Sequence, residues 1–388
     1  MGIGLLKMGN PEISIVLPCL NEEKAIGMCL DSINKVIIEN KLDAEAIVVD
    51  NGSTDRSREI VKEKQAKSKA IRLIEEKEKG YGSAYLRGFR EAKGSYIFMA
   101  DSDGSYDFSE IPNFIKGLKE GNEFVIGNRF KGEIEKGAMP WSHRYIGNPI
   151  LSGILRLFFK TNVRDSHSGM RAITKPALEK LNLRTMGMEF ASEMVIKAGK
   201  KGLKTKEIPI NYKKRAGTSK LNSFPDGWRH LRFMLLYSPL FLFFIPGLIL
   251  FLLGLISGLL LYFGKLEFLG TPLYYHPMFL SSVLVVVGYQ LIIFALFAKT
   301  YAATHLGEKN NLQKLYKHIT IEKAGIIGIL LALIGAIIYI YIFVGWVKSG
   351  FSGLEQVKNS VVALTLIVIG IQTVFSSFML SILGIKEK

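Results

Sequence analysis

The feature that most restricts this chain is a set of four apolar segments near its C-terminus, residues 239–263, 278–298, 324–347 and 360–383, none of which contains Asp, Glu, Lys, Arg or His. Each is long enough to cross a bilayer, and in lipid a segment of this kind satisfies its backbone only as a helix. Transporters and ion pathways place ionisable groups at membrane depth. These spans have none, so they read as an anchor rather than a conduit, which disfavours a transporter or flippase. Arg229 and Arg232 precede the first span, Lys299, Lys309, Lys314, Lys317 and Lys323 lie between the second and third, and Lys386 and Lys388 end the chain. The other two loops hold only Lys265, and Lys348 with Lys358. Because short cytoplasmic loops collect Lys and Arg, both termini and the whole preceding domain are predicted to lie in the cytosol. The opening MGIGLLKMGNPEISI has too short an apolar stretch and no small-residue cleavage pattern, so no signal peptide is expected.

The formal net charge of +16 fits cytoplasmic loops and an attraction to anionic headgroups and phosphates. Nucleic acid is not the expected partner, since a chain with bilayer spans already has an anionic surface beside it. The 2 cysteines, Cys19 and Cys29, both fall in the cytosolic half and are read as packing residues, with no disulfide framework.

Residues 1–222 form a different kind of text. ISIVL at 13–17, AIVVD at 46–50, IRLIE at 71–75 and YIFMA at 96–100 are short apolar runs, and helical patterns alternate with them, the first through Ile26, Leu30, Ile33 and Ile37. That alternation predicts an α/β domain with a mainly parallel, doubly wound sheet, Rossmann-like, covered on both faces. Residues 223–238 read as a juxtamembrane amphipathic helix with Trp228 and Tyr237 as interface anchors, and 239–388 as the four-helix anchor.

In such sheets ligands bind beyond the carboxyl ends of the strands, and there the polar residues gather: PCLNEE after the first strand, DNGSTD after the second, DSDGSYD after the fourth. A lone Asp-x-Asp is common in surface turns. At the end of a buried strand, two carboxylates one residue apart can both reach a hard cation and leave positions for water and diphosphate oxygens. Asp101 and Asp103 are therefore the predicted metal pair. Asn51-Gly52 signals a turn, Ser53 is a natural N-cap for the next helix, and Asp50 is placed to accept hydrogen bonds from a base or ribose. Lys79-Gly80-Tyr81-Gly82 reads as a tight loop whose glycines would let a diphosphate approach.

The ordered set PCLNEE, VVDNGSTD, a strand-end DSD, GNRF, DSHSGMR and RAGTSK resembles the family 2 inverting glycosyltransferases of GT-A fold. Among these the chain is similar to the polyprenyl-phosphate sugar synthases, typified by dolichyl-phosphate mannose synthase. The resemblance implies that Pro18, Leu20, Glu22, Asp50 and Ser102 line the nucleotide-sugar pocket, and that Asp101 and Asp103 hold Mg2+ or Mn2+ against the diphosphate. It further implies that Arg129 and Arg144 bind the acceptor phosphate, so that Asp103, Arg129 and Arg144 carry the chemistry, while Lys214, Arg215 and Lys220 close over the diphosphate. The partners so implied are a nucleotide-sugar, a polyprenyl or dolichyl phosphate and the bilayer, with room for protomers to pair through membrane contacts. GDP-mannose is the first donor the resemblance suggests, with UDP-glucose or UDP-N-acetylglucosamine next. The pattern also departs from relatives: Asn51 stands where many have a second Asp, Gly104-Ser105 replaces a frequent Leu-Gln, and Arg215 lies two residues before Gly217 rather than three. A processive polysaccharide synthase would usually add Gln-x-x-Arg-Trp before its spans, which is missing here. A non-catalytic scaffold would need neither the acidic strand end nor the basic closing segment.

Asp165 and Glu193 are candidates for orienting sugar hydroxyls, against plain readings as a turn residue and a polar helix position. His143 and His167 read as structural histidines. GNPILSGILRLFFK at 147–160 places Ile150, Ile154, Leu157 and Phe158 on one helical face with Arg156 and Lys160 outside it, and is read as an interfacial helix over a core one.

Overall fold

Strand β1 (Ile13–Cys19) runs parallel to β2 (Ala44–Asp50) on one side and to β4 (Tyr96–Met99) on the other, and β3 (Ile71–Glu75) continues the parallel set beyond β2. The computed structural model describes residues 10–217, 223–264, 266–268, 271–273, 275–305, 320–353 and 355–384. Beyond β4 lie β6 (Arg171–Thr174), β5 (Phe124–Asn128) and β7 (Thr205–Pro209), giving a seven-stranded sheet of order β3-β2-β1-β4-β6-β5-β7. β6 pairs antiparallel with both neighbours, while β5 and β7 are parallel. The sheet is thus mainly parallel, as expected, with one reversed strand. Nothing in a four-residue strand marks its direction, which depends on where the chain re-enters the sheet.

Successive strand residues point to opposite faces, and here both faces are buried. Ile13, Ile15 and Leu17 pack with Ile26, Leu30 and Ile33 of α1 (Ile26–Glu39) and with Ile111, Phe114 and Leu118 of α4 (Ile111–Lys119). Val16, Ile47 and Val49 face the other way, onto Tyr85 and Phe89 of α3 (Tyr81–Glu91) and Phe190 and Met194 of α7 (Phe190–Lys201). Each such apolar side chain contributes about 1.5–3 kcal/mol by leaving water. The helix after β2, α2 (Ser57–Lys67), begins later than Ser53 would place it. Asp55 accepts from the Ser57 backbone N–H at 3.0 Å, and Ser53 is drawn away to accept from the Asn21 backbone N–H at 2.9 Å. α5 (Asn148–Phe159) and α6 (Lys175–Leu181) complete this region, and α8 (Ser223–Leu236) follows.

The chain divides into two units, Met1–Met234 and Leu235–Lys388, and the division falls inside α8. In the second unit α9 (Ile245–Phe263), α10 (His276–His305), α11 (Ile321–Lys348) and α12 (Val357–Gly384) are the long apolar helices, and β8 (Leu266–Phe268) pairs with β9 (Thr271–Leu273) between the first two. α9 packs on α10, α10 on α12 and α12 on α11. Small residues let these backbones approach: a side chain at Gly288 would meet the backbone of Phe251, and one at Gly370 that of Ala332. Hydrogen bonds cross between spans from Tyr289 to Thr373 and from Ser282 to Thr365, each 2.6 Å.

Candidate functional site

Because β1, β2 and β4 are parallel, the loops after them emerge along one edge of the sheet. Two of the expected pocket residues, Pro18 and Ser102, are bonded to each other. Ser102 donates its hydroxyl to the carbonyl of Pro18, tying the end of β4 to the end of β1. Leu20 is exposed and Glu22 is buried.

Asp50 also shapes the turn that follows β2. It is 1 % exposed and accepts from the backbone N–H groups of Gly52, at 3.1 Å, and Ser53, at 3.2 Å, and from Nε of Arg58. The carboxylate closes its own turn and pairs with Arg58. The residue that shapes this side of the edge is Asn51. Its Nδ2 donates to the carbonyls of Glu76, at 3.1 Å, and Glu78, at 2.7 Å, while its Oδ1 accepts from the Gly80 N–H at 2.8 Å. An aspartate can accept but not donate, so the departure at this position has a physical consequence. Gly80, at φ 149°, lies so close to the carbonyl of Met186 that no side chain would fit.

Asp101 and Asp103 lie close enough for the charge of one to act on the other. Tyr81 donates its hydroxyl to Asp101 Oδ1 at 2.9 Å and Tyr85 to the same oxygen at 3.4 Å. Asp101 Oδ2 faces Gly169, where any Cβ would strike the carboxylate. Asp103 Oδ1 accepts from the backbone N–H of Ser105 at 2.9 Å and from its hydroxyl. Burial, followed by the charge of Asp103, pushes the Asp101 carboxyl up to about 6. A buried carboxyl raised in this way by burial and a like charge is stabilised in its ionised form by a cation beside it. Among the described residues no group of three or more His, Cys, Asp or Glu is placed to hold a metal. A cation held by Asp101 and Asp103 would take its other ligands from water or diphosphate oxygens.

Arg215 lies between Glu22 and Asp103, with Nη2 3.2 Å from Glu22 Oε1 and 3.6 Å from Asp103 Oδ2. Its segment is sewn to the acidic loop by backbone bonds from Lys213 N–H to the Ser105 carbonyl, 2.9 Å, and from Ala216 N–H to the Asp103 carbonyl, 3.0 Å. Lys213 Nζ donates to Asp107 at 2.8 Å and, with the Ser109 bonds, holds that carboxyl down at about 2. Lys214 binds Glu135 through its backbone N–H, and Lys220 lies outside the described residues.

Arg129 is 6 % exposed and grips Asp165, itself 0 % exposed, in a two-pronged pair: Nε to Oδ2 and Nη2 to Oδ1, both 2.8 Å. The Arg129 backbone N–H adds a third bond to Asp165 at 2.9 Å. Burial works against the guanidinium charge and Asp165 outweighs it, raising the Arg129 pKa well above its ordinary value. Asp165 is thus committed to Arg129 rather than to sugar hydroxyls, and two of the guanidinium nitrogens are committed in turn. Glu193 is likewise filled: it accepts from the backbone N–H groups of Arg184 and Thr185, from the Thr185 hydroxyl and from Lys197. These bonds outweigh burial and hold its pKa below the ordinary value.

Arg144 sits half-buried on a π-helical turn, His143–Gly147, with its guanidinium 5.5 Å from the centre of the Tyr145 ring. That turn runs into α5, which buries Ser152, Leu155 and Phe159 and turns Ile150 and Leu157 outward. Trp141, Tyr145 and Ile146 extend the outward apolar stripe, with Trp141 67 % and Leu157 64 % exposed, and Arg156 and Lys160 border it.

Several site residues escaped sequence reasoning. Tyr81 and Tyr85 share one face of α3 at i,i+4 spacing, a signal that was legible. Arg171 was not: this fully buried side chain donates to the carbonyls of Ser166, Ser168 and Ala191, at 2.9, 2.8 and 2.9 Å. Both cysteines are free and buried, with thiols pushed up to about 12 by burial, as suits packing residues.

An α/β domain with an arginine against its acidic strand end, on a chain with four membrane-length helices, has the build of a membrane-bound sugar-nucleotide enzyme. Residues 14–181 match the family model for glycosyl transferase family 2, and residues 296–384 match the family 2 C-terminal transmembrane region. The low-salt glycan biosynthesis hexosyltransferase Agl6 of Haloferax volcanii is 39 % identical over 376 residues, 96 % of this chain and 89 % of that one. A dolichyl-phosphate hexose transferase of the same organism is 31 % identical over 56 % of this chain and 89 % of its own. A dolichol-phosphate mannosyltransferase of Pyrococcus furiosus is 31 % identical over 54 % of this chain and 59 % of its own. The chain belongs to glycosyltransferase family 2, with a GT-A domain followed by a membrane-spanning C-terminal region.

Proposed function

We propose that this glycosyltransferase moves one hexose from a nucleotide-sugar to a polyprenyl phosphate at the cytosolic bilayer surface, with inversion at the anomeric carbon. The observation that carries the reading is the Asp101–Asp103 pair after β4 with Arg215 against Asp103. The names of the relatives, hexosyltransferase and dolichyl-phosphate hexose transferase, support the sugar and acceptor classes. GDP-mannose is the preferred donor in this reading, and UDP-glucose and UDP-N-acetylglucosamine are the alternatives.

Asp101 and Asp103 would hold Mg2+ or Mn2+, which supplies Lewis-acid charge to the departing nucleoside diphosphate. Arg215 is the chain's own cation for that diphosphate, held ready by Glu22 and Asp103. The wall set by Asn51 and the end of β1, with Pro18, Leu20 and Ser102, borders the nucleoside. A lipid phosphate is already anionic at neutral pH, so it needs orientation more than deprotonation. Arg144, beside the outward apolar stripe, receives that phosphate, and Arg129, fixed by Asp165, steadies it. The stripe from Trp141 to Leu157, bordered by Arg156 and Lys160, suits the headgroup region of an anionic leaflet. The basic loops support a cytosolic side for the catalytic domain and both termini.

Membranes holding the chain are incubated with each labelled nucleotide-sugar, a polyprenyl phosphate and Mg2+ or Mn2+, and extracted with chloroform. A labelled lipid from one donor is the expected result, lost in Asp101→Ala. Label that stays in the aqueous phase with every donor would remove the acceptor assignment.

A further inference from the structure

Behind the acidic pair a chain of hydrogen bonds links three separate elements. Ser152 of α5 bonds Ser166 hydroxyl to hydroxyl at 2.8 Å, and Ser166 bonds Nδ1 of His167 at 3.0 Å. His167 Nε2 is 3.5 Å from the hydroxyl of Ser192 on α7, and that hydroxyl is 2.9 Å from Nδ1 of His230 on α8. The imidazoles of His167 and His230 meet edge to face, centroids 4.6 Å apart. Ser152, Ser166, Ser192 and His230 are all buried. Burial first, then the neighbouring His230 and Arg129, holds the His167 pKa well below its ordinary value, so the ring is neutral and has one donor and one acceptor nitrogen for its two serines.

This chain runs through the turn that carries the site. Asp165, the partner of Arg129, lies two residues before His167, and Gly169, whose backbone faces Asp101, lies two after it. Arg171 fastens the same turn to α7 through the carbonyls of Ser166, Ser168 and Ala191, the last being the neighbour of Ser192. A neutral hydrogen bond contributes about 1 kcal/mol to stability, which is little for folding a domain of this size. Its geometric effect is larger, because the turn holds an arginine and a backbone strand against the reacting groups.

We infer that His230 and Ser192 are positioning residues for sugar transfer: through His167 they fix the Asp165–Gly169 turn to α7 and α8, and with it Arg129 and the backbone opposite Asp101. The inference rests on the proposed reading of Asp101 and Arg129 as site residues. It makes the helix that leads toward the first span part of the machinery that sets the catalytic turn, not merely a connection to the anchor.

The test uses the full chain in detergent, with His230→Ala, His230→Asn, Ser192→Ala, Ser192→Thr and the Ser192→Ala/His230→Ala double variant. Asparagine can place a hydrogen-bonding atom near the position of Nδ1, and threonine keeps the hydroxyl. His230→Ala is expected to lower kcat about tenfold or more, a small misplacement being enough for that, with donor KM unchanged. His230→Asn and Ser192→Thr recover most of the rate, and the double variant is no worse than the poorer single one, because both break one chain. Hydrogen exchange at residues 165–169 quickens in the alanine variants and not in the rescue variants. Equal losses in His230→Ala and His230→Asn, additive losses in the double variant, or unchanged exchange at 165–169 would each overturn the inference. Should His230→Ala not fold, the Ser192 pair decides. A wild-type chain that labels no polyprenyl phosphate sinks the acceptor assignment instead, and the exchange measurement still decides this inference.

Discussion

Arg129 and Asp165 let structural and functional importance be separated at one site. The pair is buried, with side-chain exposures of 7 and 0 %, and Asp165 also accepts the Arg129 backbone N–H. Asp165→Ala therefore strands a buried guanidinium and a buried amide together. Removing one partner of a buried ion pair costs about 3–5 kcal/mol, and for a unit of this size each kcal/mol moves the midpoint by about 2–4 °C. The expected drop in thermal midpoint is thus about 6–20 °C, followed by tryptophan fluorescence or scanning fluorimetry in detergent. Replacing both partners, Arg129→Met with Asp165→Leu, removes the stranded charge, and such swaps are often neutral for stability. The midpoint of the double variant should return to within a few degrees of wild type while labelled lipid product stays lost. If the double variant is as unstable as Asp165→Ala, the pair is not what holds this turn. If it is stable and fully active, Arg129 has no part in binding the acceptor phosphate.

Other consequences follow from the same geometry. Asp101 has its pKa raised to about 6, so the metal-free fold is penalised as pH rises from about 4 through 6 and Asp101 ionises; Asp101→Asn should raise the metal-free midpoint above pH 6 and leave it unchanged below pH 4. Added Mn2+ should then stabilise the wild type and not the variant, which thermal scans at several pH values check. Asn51→Asp loses two donated bonds and turns a carboxylate toward the carbonyls of Glu76 and Glu78; a cost of about 1–3 kcal/mol and a raised donor KM are expected from unfolding and steady-state assays. Leu157→Glu puts a charge on the exposed stripe; it should leave the midpoint and donor KM alone and raise KM for the polyprenyl phosphate about tenfold, and an unchanged acceptor KM counts against the interfacial role.

What the sequence by itself determined was whatever depends on local pattern. The alternating apolar runs gave the first four strands and the helices that follow the first three in the right order, because burial on two faces leaves a period in the text, whereas β5, β6 and β7 were not read from it. The spans were legible because length and the missing charges are themselves the physical requirement for lying in lipid. The polar motifs were assigned to strand ends, and the strand ends are where the structure has them. Tertiary structure alone decided what each polar side chain does there. Asp50, read as a pocket residue, and Glu193, read as either a cleft acid or a polar helix position, both bond backbone amides and a cation of the chain itself. Asp165 belongs to Arg129, 36 residues away, and Glu22 meets Arg215 across 193 residues. A carboxylate in a motif is only a charge that needs a partner. Which partner it finds is set by long-range packing, which brings distant segments within about 3 Å and leaves no period in the sequence.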